Sequence, residues 1–538
     1  MTTLIVNGAR QIGTNLIQAA GQYAQSYAVQ SVASLFDNRQ FEGPRLDSFH
    51  IQTSRDGAPM PRVFGRARLA GQVIWSSQVL ETATDERVGG KGGPTQTNFS
   101  YTVSFAVGLC EGEILSVGRI WANGAILPLS NVTMRIHKGG EEQLPDPIIQ
   151  AIDGPHVPAF RGTAYVVFED FPLDEYGGRL PQLSFEVQRL AVRQDESPRL
   201  EDLVQSVCLL PSSGEFAYAS DLVDDQLGAG QSFKINGNNL SGQSDIDLAL
   251  DQLENQLPAC RHVSIIISWF GTDLRMEECQ LRPGVEQDVR NTNPLVWSVG
   301  GVNRAEAYKV SRDESDRPVF GGTPSDVSIL QAISSLKSRG FSVTIYPFIL
   351  MDIDASNTRP DPYSDVNSQP VFPWRGRITC HPAPGRIGTV DRTMSTQTSV
   401  NSFMGTADIS DFNVTDNQVL MPKDEYGFRR FILHYAHLAK LSGGVDNFLI
   451  GSELRGLTQV RDQNDDFPFV EALAELAEDV RTILGNSTAI TYAADWSEYF
   501  GYHPQDGSGD VFFHLDNLWS HPAISAVGID SYLSLIHI

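Results

Sequence analysis

Glu453 is the residue of this chain best placed to do chemistry. It closes the apolar run NFLIGSE, fourth in a series of short apolar runs separated by helical segments. Barrels of parallel strands place their catalytic groups at such C-terminal strand ends. Asp273, Asp352, Asp495 and Asp530 follow other runs in the same way, with Trp269, Trp496 and Tyr532 close by in sequence. Acids beside aromatic rings are what a saccharide site uses, because carboxylates bond hydroxyls or move protons while flat sugar faces stack on rings. Arg455 could pair with a strand-end acid and orient the site. The expectation is therefore a mouth with Glu453 as its candidate catalytic group and with Asp273, Asp352, Arg455, Asp495, Trp496, Asp530 and Tyr532 contacting glycan. The structural alternative is that these groups merely cap a barrel end and bond loop backbone.

Other candidates carry less. His434 and His437 stand three apart on a helix, but no third ligand has suitable spacing, so they read as packing residues. His381 beside Cys380 is equally unsupported. Lys91 in GGKGGPT suggests a phosphate loop, yet Gly92, Gly93 and Pro94 follow where a Walker loop needs Ser or Thr and then a helix. A hairpin loop is the expectation there. No cofactor or metal is expected.

The elements that must position such a mouth fall into two textures. From Pro61 to Leu127, and on to about residue 190, apolar residues alternate with small or polar ones; Phe99, Tyr101, Val103, Phe105 and Val107 predict a half-buried strand. Before this, residues 8–36 have helical spacing (Ile12, Leu16, Ala19, Tyr23, Tyr27), which predicts an N-terminal helical arm within 1–41. A helix is expected near Arg199 to Leu209. From Ser244 onward, strand-like runs near 265, 296, 345, 450, 491 and 528 alternate with helices, which predicts six β/α units of a parallel barrel. The segment 354–421 reads as an insertion over its mouth. The expected division is 1–41, a β-rich domain at 42–240, and a barrel at 244–532.

The net charge of −25, from 65 acidic and 40 basic residues, argues against a nucleic-acid surface. Five cysteines without a CxxC pair argue against a disulfide framework or zinc site and point to synthesis in a reducing compartment. No apolar stretch reaches membrane-spanning length.

Two sets of motifs carry a resemblance. VFGRARLAGQVIW, YTVSFAVGLCEGEI and RIWANG resemble the hub of long-tailed phage tail tips, and most closely the host-specificity protein of gene transfer agents. WFGTDLR, YPFILMDI, FPWRGRITCHPAPGR, FLIGSELRGLT, ADWSEYFG and VGIDSY resemble the TIM-barrel-like domain of the same protein. The resemblance implies a multidomain chain, with a β-rich tail-hub domain followed by an incomplete (β/α)8, glycoside-hydrolase-like barrel. It also implies a homotrimer at the particle tail tip, synthesised in the bacterial cytoplasm, with distal tail and tube proteins and cell-surface glycan as partners. In glycoside hydrolases of this kind the general acid/base is a Glu ending strand four, and the nucleophile stands on strand seven. The chain reads LSLIHI after VGIDSY, a hexapeptide that matches translated sequencing-adapter read-through. Residues 533–538 are therefore expected to be non-native and the barrel truncated, inactive for want of its nucleophile. Three functions follow: a structural hub with a glycan-contacting barrel, a hydrolase of envelope polysaccharide or peptidoglycan, and a spacer.

Overall fold

The computed structural model describes residues 40–42 and 59–531, apart from 88–94, 130–131, 191–196, 212–213, 229, 240, 416–417 and 422–423. The helical arm at 8–36, the loop around Lys91, Tyr532 and the hexapeptide 533–538 lie outside the described residues. The chain divides into two compact units, residues 1–195 and 196–538.

The first unit is built on antiparallel strands: β1 (Gly65–Ala70), β2 (Gln72–Ser76), β3 (Leu80–Arg87), β4 (Thr95–Glu111), β5 (Ser116–Ala122), β6 (Thr133–His137), β7 (Thr163–Pro172) and β8 (Leu183–Arg189). In one sheet β4 pairs with β2, β3 and β7, and β7 pairs with β6. In the other, β8 lies between β1 and β5. Val103, Phe105 and Val107 of β4 share one core with Ile120, Phe185 and Val187 of the second sheet. Gly71 lies where the chain passes from β1 in one sheet to β2 in the other. A Cβ there would meet a Val107 methyl at 2.1 Å, so no larger residue fits the crossing.

The period-two pattern of β4 predicted a half-buried strand, but Val103 to Cys110 are buried on both faces. The small residues between the large ones are the reason. Ala106 packs under the helix α1 (Pro147–Asp153) with Ile149, Tyr165 and Val167, so the face read as open is roofed.

The second unit holds a parallel sheet in chain order: β9 (Ser206–Leu209), β10 (His262–Gly271), β11 (Ser342–Met351), β12 (Asn447–Ser452), β13 (Ala489–Asp495) and β14 (Gly528–Asp530). Helices α2 (Asp245–Gln256), α3 (Asp326–Ser338), α4 (Phe428–Leu441) and α5 (Pro468–Leu484) lie between successive strands. Ile265, Ile267, Ile345, Phe448 and Ile490 join the large core that these helices share, whereas Ile266, Tyr346, Leu449 and Ala493 form a separate cluster. The two clusters are the two sides of one curled sheet. Tyr346 on β11 donates its hydroxyl hydrogen bond to Asp530 on β14. In a flat sheet those strands would stand about 14 Å apart, so the sheet must bend for the bond to form.

Two expectations fail here. The run near 296 is not a barrel strand. Ser298–Val299 pairs only with Val302–Asn303, around a turn in which Gly300 has φ 59. There is no room for it in the sheet, because β10 and β11 pair directly from His262↔Ser342 to Gly271↔Met351. The first strand is instead β9, inside the stretch read as a helix near Arg199 to Leu209. Only Leu200–Leu203 is helical, and β9 runs parallel to β10 from Ser206↔His262 to Leu209↔Ile265. For the same reason the second unit begins well before the expected boundary at 240–244. The two errors offset each other in the count, and Glu453 still follows the fourth strand.

Candidate functional site

Glu453 is one residue beyond β12, buried, with its backbone in the left-handed region at φ 51. Its amide donates to Ala493 O at 2.9 Å, which ties the end of β12 to β13. The neighbouring Leu454 N–H donates to the Tyr492 hydroxyl at 2.7 Å. The backbone around Glu453 is thus anchored to the next strand on both sides of its Cα.

Its carboxylate meets two residues of the segment 354–421. The Trp374 indole N–H donates to Glu453 Oε2 at 2.6 Å, and Arg375 approaches the same oxygen at 3.1 Å. Arg375 is itself buried. Its Nε donates to Ser452 O and an Nη to Ser452 Oγ, both at 3.0 Å, and its guanidinium lies 3.8 Å from the Phe348 ring centroid. The nitrogen that faces Glu453 also lies 4.0 Å from Asp530 Oδ2. One guanidinium therefore serves two carboxylates. Burial pushes the Asp530 carboxyl up to about 6, against the Tyr346 hydrogen bond, and the charge of Glu453 adds to the rise.

In front of this cluster is a cleft of about 710 Å³ lined by Trp374, Arg375, Glu453, Arg455, Asp495 and Trp496. Trp496 is 53% exposed and Trp374 38%. Asp495 ends β13 and caps the short helix α6 (Trp496–Tyr499). It accepts from Ser497 N at 2.9 Å, while the Glu498 carboxylate accepts from Asp495 N at 2.7 Å. Glu498 also accepts from Thr458 Oγ1 at 2.7 Å and Tyr492 OH at 3.1 Å, and burial raises its pKa to about 7.

The structure thus brings together Glu453, Arg455, Asp495, Trp496 and Asp530 from the sequence-predicted set. It places two others apart from the cleft lining. Asp273 bonds Arg275 Nη2 and Gln369 Nε2, both at 2.7 Å. Burial opposes its charge, but Arg275 and Gln369 hold the carboxyl below its usual range. Asp352 accepts from Ser311 N at 2.8 Å. Both acids bind loop segments, as the capping alternative supposed. Trp269 is buried and donates to Tyr435 OH at 2.7 Å, away from solvent. Tyr532 is outside the described residues. His434 bonds Asp326 at 2.9 Å inside the core, and His437 packs on Phe412. No cluster of His, Cys, Asp and Glu suited to a metal occurs among the described residues, nor is any described helix long and apolar enough to cross a membrane.

Arg375, Trp374, Tyr346 and Glu498 were missed from sequence. For Glu498 a signal existed, since D-x-x-E after an apolar run is a capping-box signature. For Trp374 and Arg375 none did, because they reach Glu453 from a loop 79 residues earlier in the case of Trp374.

Comparison with known proteins finds a chain from the virion of a native gene transfer agent particle at 36% identity, covering 33% of this chain and 39% of that one, with TM-score 0.22. It also finds the GH113 β-mannanase AaManA from Alicyclobacillus acidocaldarius, at 14% identity, 48% and 50% coverage and TM-score 0.24. A further GH113 β-1,4-mannanase has 12% identity, 53% and 81% coverage and TM-score 0.24. No curated protein matches the chain. Residues 426–537 match the family model of the GTA (gene transfer agent) TIM-barrel-like domain, so this part of the chain is similar to that domain, and the chain spans well under two thirds of the length of the gene-transfer-agent virion protein that it matches.

Proposed function

We propose that this chain is a tail-tip hub and host-specificity component of a gene-transfer-agent or phage-like particle, and that its barrel contacts cell-surface glycan. The observation that carries the glycan reading is the cleft itself. An exposed indole, Trp496, stands beside a preformed cluster of charged groups at parallel strand ends, where ligand sites of such sheets gather. The β-rich first unit serves in this reading as the hub, closing as a homotrimer against distal tail proteins. Binding is preferred over hydrolysis because Glu453 is already engaged. An acid/base must bring a carboxyl oxygen to the reacting bond, whereas Trp374 and Arg375 both lie against Glu453 Oε2.

The test is a glycan array followed by calorimetric titration. Binding that both Glu453→Gln and Trp496→Ala weaken supports the reading, and binding unchanged in both removes the mouth from consideration. Light scattering on the first unit tests the trimer.

A second reading, hydrolysis of envelope polysaccharide or peptidoglycan, is favoured by one feature. Glu453 and Asp530 share Arg375, and Asp530 has the raised pKa of a proton donor. Release of reducing ends from an envelope polysaccharide, lost in both Glu453→Gln and Asp530→Asn, would establish it over binding alone.

A further inference from the structure

The charged groups lining the cleft differ in how they are engaged. The carboxylate of Glu453 is held by Trp374 and Arg375. That of Asp495 is bonded to the backbone and hydroxyl of Ser497, and is buried. Arg375 is buried between Phe348, Ser452 and the two acids. Arg455 is exposed, and its guanidinium has no hydrogen-bond or ion-pair partner among the described residues. The cleft therefore offers a ligand two indole faces and one unengaged cation, while Glu453 is held by Trp374 and Arg375 and one oxygen of Asp495 is held by Ser497.

From this we propose that the cleft selects an acidic saccharide, a sugar bearing a carboxylate or a phosphate, with Arg455 binding the acidic group and Trp496 stacking on the ring. The inference rests on the glycan reading above and narrows it to a ligand class. A guanidinium presents paired N–H donors that match a carboxylate or phosphate edge, and a neutral hydroxyl uses only one of them. Its attraction must work locally. The chain as a whole carries −25, which repels an anion at long range, but that repulsion is screened beyond about 8–10 Å at physiological salt.

The test uses the full chain and three probes in calorimetric titration: trigalacturonate, the neutral galactotriose of the same linkage, and glucose 1-phosphate. Trigalacturonate is expected to bind about tenfold more tightly than galactotriose, a difference of the size a single charge-assisted contact gives. Arg455→Ala should cost the acid far more affinity than the neutral sugar. Arg455→Lys should recover only part of the preference, since the charge returns without the planar fork. Comparison of trigalacturonate with glucose 1-phosphate tells which acidic group is read, and preference for either over the neutral sugar supports the proposal. Equal affinity for trigalacturonate and galactotriose, weakened alike by Trp496→Ala, would overturn the acidic-ligand inference and leave the glycan site standing. Absence of binding to all three probes would overturn both.

Discussion

Two buried acids of the second unit, Glu215 and Glu453, are solved differently by the fold. Glu215 receives Arg304 through two nitrogens, at 3.0 and 2.7 Å, and Arg290 at 3.2 Å, and also accepts from Glu286 N at 3.0 Å. Two guanidiniums serve one carboxylate. At Glu453 one guanidinium is shared, for Arg375 faces both Glu453 and Asp530. The first arrangement gives a buried charge two close cations, of which Arg290 also reaches Asp225 at 3.2 Å and Glu286 at 3.5 Å, and it joins segments far apart in sequence. In the second, burial raises the pKa of Asp530, with the charge of Glu453 adding to it, and the shared Arg375 at 4.0 Å offsets only part of the rise. Close, doubled contacts make a staple, and a more distant shared one makes a group whose charge depends on its surroundings.

The largest test of this contrast is removal of the staple. Glu215→Ala should lower unfolding free energy by about 3–5 kcal/mol, because it strands the largely buried Arg304 guanidinium and takes one of the three carboxylates around Arg290. Denaturant unfolding measures it, and a smaller loss than Glu453→Ala shows would reverse the ranking.

Next in size is the pH response of Glu498. Its folded pKa of about 7, raised by burial, stands above the ordinary 4.5 of a glutamate, so the folded state binds the proton more tightly than the unfolded chain. Stability from this group is full below pH 4.5 and declines as pH rises to about 7, by roughly 3 kcal/mol in all. Melting temperatures between pH 4.5 and 8 should fall with this sign, and Glu498→Gln, which mimics the protonated acid, should flatten the trend.

A smaller effect is expected from Trp374→Phe, which keeps the ring and deletes the N–H to Glu453. The loss should be about 1 kcal/mol in stability, accompanied by weaker glycan binding, and unaltered values in both would mean that the bond is idle. Smallest is Asp530→Asn. The raised pKa of Asp530 again means stability lost as pH climbs, here from about 4 to about 6. Solvent screening at this partly exposed group keeps the change below about 1 kcal/mol. The variant should remove that part of the pH slope and no other.

What could be read from sequence follows from the range of the signals. Glu453, Arg455 and Trp496 were legible because a strand end is a local pattern, with an apolar run followed by its first polar residues. The long helices α2 to α5 were legible for the same reason. β9 was not, since four residues carry no period and SVCL suits either state. The run at 296 misled because burial, not strand pairing, explains its apolar residues; Trp297 is buried and bonds Thr323 O at 2.8 Å. Arg375 was illegible in principle, as nothing near it in the chain states which acid it will meet. Local pattern therefore found the acids of the mouth but could not show that one of them was already engaged by Trp374 and Arg375.

The left-handed backbone at Glu453 has a bearing on how this position would drift over generations. Holding a residue other than glycine at φ 51 is a standing disadvantage of about 1–3 kcal/mol, which Gly would remove and Asn would reduce. In a lineage that used the barrel only as a spacer, Asn, which eases the backbone and keeps an acceptor oxygen near Trp374 and Arg375, should accumulate at 453. In a lineage under selection for the mouth, the acid should persist despite the strain. Sequencing the gene across many particles would thus read out, as a substitution bias at a single codon, whether the cleft is used.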